Sequence, residues 1–466
     1  MNDPIVVTGV GVVSPIGIGF HSFAEGLRSG QSATDLIRAF DASGLPSRCA
    51  GEVEDALLNE DRHIHPRKAS KLMSRATRFA VVAASLAREL AGLTVDSVAP
   101  DRVGVCLGAG GMGITDLDLL EGQALAAAEA VTRSESLVGT EVGVGAAVDA
   151  GAGPGAGTGV GVGGVGDSPR WDVTRFSEVY TRRTNPLTMI RGLPNLAATS
   201  VAIQCGARGP NSTVTTACAS GTQALGDALR VLQRGDADVM LTGGTDAMIN
   251  PVGVLGFSLL GTLSRRNEEP SGSCRPFDRD RDGFVIGEGA AVLVLERASH
   301  ARSRGARPLA EIAGYATTCD AYRMTDERPD ASGATAAITG ALADADLAPR
   351  EIDYVNAHGT GTVMNDRMET RAIKQALGGQ ADKVAVSSTK GMMGHLLAAA
   401  GAVEAAAVIA AIEYGFLPPT VNHQVPDEEC DLDYVPRSAR GAYVRAAISN
   451  SFGFGGQNAC LAIRRP

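Results

Sequence analysis

The stretch TVTTACASGTQALGDALRVLQRG (213–235) sets a cysteine between a β-branched run and a segment with one apolar stripe. The stripe is Ala224, Leu225, Ala228, Leu229 and Leu232, and Gly235 supplies a helix stop. STVTTA reads as a buried strand, so Cys218 is predicted at a strand-to-helix turn. Unpaired N–H groups and the positive end of a helix dipole at such a turn favour a thiolate and lower the thiol pKa. Small neighbours, Ala217, Ala219, Ser220 and Gly221, leave room for a substrate. Alone, the segment fits a nucleophile and a buried core thiol equally well.

The later sequence shifts that balance. NAHGTGT (356–362) places His358 after the predicted strand IDYVNA, in a run too small to bury an imidazole under bulky side chains. STKGMMGH (388–395) places Lys390 and His395 after the predicted strand KVAVSS and before an apolar helix. A single histidine at a strand end is commonly a structural hydrogen bonder. Two of the seven histidines at equivalent strand ends, with a similarly placed cysteine, point instead to an active site at the carboxyl ends of strands. NSFGFGGQN (450–458) reads as a glycine-rich loop that lets backbone approach a ligand, with Phe452 and Phe454 its only bulky members; a hairpin turn into ACLAIR competes with that reading.

Two further patterns resemble known sites and fail on inspection. GAGGMG (108–113) matches GxGxxG after a strand, but ITDLDLLEGQ follows, with no second strand ending in an acid for a ribose. DRDRDGFVIGEG (278–289) begins like a calcium loop, with Asp278, Asp280 and Asp282. Gly289 stands where the bidentate acid belongs, and a strand follows where a helix is required, so a charged turn is expected.

The elements that must position these groups alternate. IVVTGVGVV, VGVCLG, STVTTA, ADVMLTGG and AAVLVLE form one strand series; AEIAGYATT, IDYVNA, KVAVSS and ACLAIR form another, with helices near 333–346, 366–377 and 397–413. The expected fold class is α/β and layered, in two successive halves, 1–298 and 299–466. Residues 139–169 are so rich in Gly and Ala that they cannot bury enough area to offset backbone ordering, and read as a flexible insertion. With 466 residues, 44% hydrophobic, 20% charged and a net charge of −10, the composition is ordinary globular material and argues against a nucleic-acid surface. No signal peptide and no apolar run long enough for a bilayer are apparent, so a cytoplasmic protein without membrane insertion is expected. Eight cysteines without a CxxC pair argue against structural zinc and a disulfide framework.

TACASG, NAHGTGT, KGMMGH and NSFGFGG, in this order and at these separations, resemble the β-ketoacyl-acyl-carrier-protein synthases, the decarboxylating condensing enzymes of fatty acid and polyketide assembly. GYATTCDAYRMT, NDRMET and CDLDYVP look closest to the ketosynthase subunits of type II polyketide systems. The resemblance implies a thiolase-like five-layered α-β-α-β-α sandwich of two pseudo-duplicated halves, normally dimeric. It implies an acyl carrier protein as partner, and a homodimer or a heterodimer with a chain-length-factor-like paralogue. No cofactor is required and no metal is expected.

By the same resemblance, Cys218 would carry the acyl chain, and His358 and His395 would bind the malonyl thioester carbonyl during decarboxylation. Backbone N–H groups of Cys218 and Phe452 would form the second oxyanion hole. Lys390 would pair with Glu404, and with Asp366 and Glu369; the last two also have the spacing of a helix capping box. Thr360 and Thr362 would bind the pantetheine arm, Phe452 would gate the acyl pocket, and Phe454 would lie beside the substrate. Ala109, where relatives often carry a larger chain-limiting residue, implies a roomier acyl tunnel. Gln457 departs from a common Thr. Cys460 lies in the wrong context for the second cysteine of thiolases, and a cysteine at 218 distinguishes the chain from chain-length factors.

Overall fold

The computed structural model describes residues 3–94, 97–110, 127, 172–183 and 187–466. The chain divides into a main unit, Met1–Thr115 with Met189–Pro466, and a smaller one, Asp116–Thr188, in which the helix Val173–Arg183 is described. The Gly/Ala-rich segment 139–169 lies outside the described residues.

Ten principal strands of the main unit run along one sheet. In chain order they are β1 (Ile5–Ser14), β2 (Val103–Ala109), β3 (Asn211–Val214), β4 (Val239–Asp246), β5 (Gly289–Arg297), β6 (Ala310–Cys319), β7 (Tyr354–Asn356), β8 (Ala385–Ser387), β9 (Ala446–Gly453) and β10 (Gln457–Arg464). The spatial order is β8-β7-β9-β10-β6-β1-β5-β4-β2-β3. Read outward from the β1–β6 seam, both halves repeat one topology. The first strand pairs antiparallel with the fifth (β1–β5, β6–β10), and the fifth pairs antiparallel with the fourth (β5–β4, β10–β9). The fourth pairs parallel with the second and the second parallel with the third (β4–β2–β3, β9–β7–β8). The pseudo-duplication is thus a property of strand order and direction, although no sequence repeat is visible.

The helices complete five layers. α1 (Arg75–Ala91) and α2 (Leu196–Cys205) cover one outer face, and α4 (Ser332–Asp344) with α5 (Val363–Leu377) covers the other. Between them lie α3 (Ser220–Arg234) and α6 (Ala400–Tyr414), packed on each other and on both halves of the sheet. Of the two, α6 has almost no solvent face, whereas α3 leaves Asp227, Gln233 and Arg234 exposed. α6, AGAVEAAAVIAAIEY, is correspondingly apolar all round, and residues 400–412 are buried. Contrary to expectation, Leu397–Tyr414 has the length and hydropathy of a bilayer span; in this fold it is the central layer, 89% buried in protein.

Other expectations are revised. The strand read as buried STVTTA is the shorter β3, half-exposed, because it is the last strand of the sheet and pairs only with β2 among the described residues. NSFGFGGQN is a hairpin: residues 450–453 end β9, 457–458 begin β10, and Phe454, Gly455 and Gly456 form the turn. The Asp278 loop is a charged turn, as expected. Asp278 accepts backbone N–H bonds from Asp280, Gln424 and Val425, while Glu288 is occupied by Arg75 and the Val53 N–H.

Close packing of α3 on β2 requires a glycine. A Cβ at Gly108 would lie 2.4 Å from the Ser220 carbonyl carbon and 2.5 Å from the Gly221 nitrogen, both backbone atoms at the start of α3. Gly108→Val is expected to cost about 1–3 kcal/mol by overpacking. It should lower the melting temperature and slow iodoacetamide alkylation of Cys218, which sits on the same displaced turn.

Candidate active site

Parallel strands deliver their following residues to one end of the sheet, and the two halves bring those ends together. Cys218 follows β3, His358 follows β7, and Lys390 and His395 follow β8. All four are buried, with Cys218 at 9% exposure, His358 at 2% and His395 at 1%. Ligand atoms of Cys218, His358 and His395 lie within 4.8 Å of one another. They open on a cavity of about 340 Å³, also lined by Thr360, Thr362, Phe452, Phe454, Phe257 and Phe284.

The cysteine turn is sharp. Ala217 adopts φ +50°, a left-handed conformation that costs a non-glycine residue about 1–3 kcal/mol. Ser220, the first residue of α3, holds it: its hydroxyl donates to the Ala217 carbonyl at 2.6 Å and accepts the Thr216 N–H at 2.8 Å. A Cβ on Gly453 would meet the Thr216 carbonyl at 3.0 Å and the Cys218 nitrogen at 3.2 Å, so the strand carrying Phe452 runs against the same turn. The expected low thiol pKa is not found. Burial among Met248, Ile249, Phe257 and Leu397 pushes Cys218 up to about 12, although the Lys390 ammonium opposes the shift.

The two imidazoles are held by different means. His395 is fixed through its backbone, which donates to the Val285 carbonyl at 2.7 Å and accepts from Gly287 at 2.9 Å. Its Nδ1 accepts the Leu397 N–H at 3.2 Å, and its Nε2 lies 3.0 Å from Cys218 Sγ. Glu369 fixes the His358 loop by accepting the N–H groups of His358 at 2.8 Å and Gly359 at 2.7 Å. Lys390 Nζ donates to the His358 carbonyl and to Glu404, and lies 3.4 Å from His358 Nδ1. The rings meet edge to face, with centroids 5.3 Å apart.

These contacts decide the tautomers. Burial and the Lys390 charge press both imidazoles well below their ordinary pKa, so both are neutral. A neutral ring carries one proton, and an ammonium or a backbone N–H only donates. Each Nδ1 therefore accepts, and each Nε2 bears its proton and faces the cavity. The same assignment argues against a metal: neither Nε2 keeps a lone pair for a cation, close as the three groups are. The arrangement supplies two fixed, uncharged N–H donors beside a thiol, suited to an oxygen that gains negative charge during reaction.

Three placements differ from expectation. Lys390 bonds Glu404 but neither Asp366 nor Glu369. Those two acids lie inside α5, whose N-cap is Thr362, so they make no capping box. Asp366 accepts the N–H groups of Phe277 and Gly361 and stands 3.4 Å from Arg281, and Glu369 carries the His358 turn. Both are loop braces, because backbone donors reach them before the ammonium does. Ala109 is buried at the end of β2 and is absent from the cavity wall, and the chain after Gly110 leaves the described residues. His358 is buried despite its small neighbours in sequence, since Phe452 from β9 and His395 cover it. Thr360 and Thr362 do line the cavity, their hydroxyls 2.9 Å apart. Cys460 is fully buried in β10, away from it. Sequence reasoning assigned no role to the Ser220 hydroxyl, to Leu397 and Phe284, or to Asn450, whose Nδ2 donates to Glu369 at 3.1 Å; Leu397 at φ +51° carries no sequence signal, since nothing in its residue type favours that conformation.

Lys390 and Glu404 form an ion pair closed to solvent. Lys390→Ala leaves a buried carboxylate unpaired and is expected to cost about 3–5 kcal/mol by denaturant unfolding, whereas Lys390→Met with Glu404→Gln should recover much of the loss. The Cys218 pKa makes a second outcome testable. Iodoacetamide alkylation should rise about tenfold per pH unit from about pH 6 to 9, as the thiolate fraction grows, without a plateau; a plateau below pH 7 would show an ionised thiol.

The N-terminal domain of the β-ketoacyl synthases matches residues 2–148 and 126–301, and the C-terminal domain of the same family matches 309–424. A 3-oxoacyl-[acyl-carrier-protein] synthase 2 of Synechocystis sp. is 41% identical over 461 residues, spanning 99% of this chain and 98% of the relative. One from Coxiella burnetii is 37% identical, with 99% and 98% covered. Among solved structures, the ishigamide ketosynthase/chain length factor superposes with a TM-score of 0.82 at 33% identity. A type II PKS acyl-carrier protein complex with its ketosynthase bound to the hexaketide gives 0.80 at 31%; both cover the whole of each chain. With Cys218, His358 and His395 gathered on one cavity in this thiolase-like sandwich, the chain belongs to the β-ketoacyl synthase family of condensing acyltransferases.

Proposed function

We propose that this enzyme extends acyl chains held on an acyl carrier protein, using malonyl carrier protein as the two-carbon donor. The observation that carries the reading is the pair of neutral imidazoles presenting Nε2–H beside a cysteine. Cys218 sulfur attacks the acyl thioester of one carrier, the C–S bond to pantetheine breaks, and the thiol proton leaves with the departing sulfur. Malonyl carrier then places its thioester carbonyl between His358 and His395. The C–C bond to the carboxylate breaks, CO2 leaves, and the electron pair becomes an enolate whose oxygen accepts both N–H bonds. The enolate carbon attacks the acyl group on Cys218. Backbone N–H groups of Cys218 and Phe452 receive the charge on that second carbonyl, and the released Cys218 thiolate takes a proton. No step draws on a cofactor.

Thr360 and Thr362 are assigned to the pantetheine arm, with Phe452 and Phe454 at the acyl entrance. The identities of 37–41% with 3-oxoacyl-[acyl-carrier-protein] synthases support an enzyme of fatty acid elongation. The superpositions on a type II PKS ketosynthase and on a ketosynthase/chain length factor, with the GYATTCDAYRMT and CDLDYVP stretches, support the same chemistry in polyketide assembly. In either setting the half-exposed edge of β3 is the natural place for a second subunit to pair.

His395→Ala and His358→Ala should each lower malonyl-carrier decarboxylation by about 10²–10³, the loss typical of a deleted oxyanion donor. Cys218→Ala should retain decarboxylation and lose condensation. Intact-mass analysis of both carriers reads both steps; condensation by the Cys218 variant would sink the scheme. The mass of the carrier-bound product, with and without a copurified cysteine-less paralogue, separates the two pathways.

A further inference from the structure

Among the described residues, Asp246 is a buried acid at a strand end to which the scheme above gives no task. Asp246 closes β4 and is 3% exposed. Its Oδ1 accepts the Ala247 N–H at 2.9 Å, and its Oδ2 accepts the Ala398 N–H at 3.1 Å. A Cβ built on Gly110 would lie 2.7 Å from Oδ2, so the chain leaving β2 passes directly over the carboxylate. Three connections, after β2, after β4 and after His395, converge on one side chain. The third is the informative one. Leu397 and Ala398 are consecutive: the Leu397 N–H goes to His395 Nδ1, and the Ala398 N–H goes to Asp246. Between the two N–H groups lies the φ +51° of Leu397, a conformation that persists only where its surroundings over-determine it. A carboxylate accepting a backbone N–H is a strong anchor for such a turn.

We propose that Asp246 is a positioning residue for His395: by holding the Ala398 N–H it keeps Leu397 left-handed and the Leu397 N–H on Nδ1, so that the His395 proton stays on Nε2 and faces the substrate carbonyl. The inference rests on the donor role of His395 in decarboxylation. Asp246 itself touches no substrate in this scheme, so its influence is carried entirely by the orientation of the turn.

The test compares the parent enzyme with Asp246→Ala and Asp246→Asn by nitrogen-15 NMR of labelled histidine, His395 being assigned from its own substitution, alongside malonyl-carrier decarboxylation. The parent should show His395 protonated at Nε2. Asp246→Ala should show a mixture of tautomers, with decarboxylation kcat reduced by about 100-fold, the scale of a misplaced reacting group, and KM changed by less than about twofold. Asp246→Asn keeps one acceptor for two N–H donors and should fall between. If Asp246→Ala does not fold, Asp246→Asn carries the comparison. The tautomer decides: a parent protonated at Nδ1, or variants that keep the parent pattern, overturns the proposal. A parent that shows the Nε2 pattern yet never decarboxylates malonyl carrier would defeat the functional reading, while the spectra still decide the positioning role.

Discussion

The site depends on a buried positive charge that never needs to touch substrate. Lys390 donates to Glu404, to the His358 carbonyl and toward His358 Nδ1, and its field reaches both imidazoles. An ammonium enclosed at 1% exposure would be prohibitively costly alone, and Glu404 from α6 makes it tolerable. Burial above all, with the Lys390 charge in support, keeps both histidines uncharged, and the ammonium orients one of them. Two imidazolium ions would bind a malonyl carboxylate as an ion pair and hold it. Two neutral donors favour the state in which charge has moved onto the thioester oxygen, which is the state decarboxylation must reach.

The duplicated topology explains how that charge comes to be shared. Each half of the sheet ends its parallel strands on the same side, and the antiparallel seam of β1 with β6 turns those ends toward one another. Cys218 comes from one half and both imidazoles from the other. α6, buried on every side, carries Glu404 into the middle. Its alanines let it sit close to α3, whose N-terminus is preceded by the cysteine turn. Two of the left-handed non-glycine residues, Ala217 and Leu397, lie where the halves meet, and at both places a hydrogen-bonding side chain or an imidazole fixes the turn.

The cysteine illustrates how local and global effects compete. A helix start and a small-residue turn favour a thiolate, and both features are present. Enclosure by apolar side chains from distant parts of the chain outweighs them. Glu369 and Asp366 show the converse. Their spacing suggested local use at a helix end, yet both are drawn to loop backbone that folding brings within reach.

From residue types and spacing alone one could read the strand and helix alternation and the strand-end placement of Cys218, His358, Lys390 and His395, while the Lys390–Glu404 pair followed only from the family resemblance. These were legible because hydrophobic period, glycine stops and unusual polar residues among small ones are local signals. The common topology of the halves, the half-exposure of β3, the high thiol pKa, the tautomers, and the work of Ser220, Leu397 and Asp246 were not. Each is set by atoms hundreds of positions away or by a backbone angle that the residue type does not prefer. Sequence determines which groups can do the chemistry; only the packed structure determines which protonation state they hold and which atom faces the substrate, because desolvation and hydrogen-bond direction are properties of the surroundings.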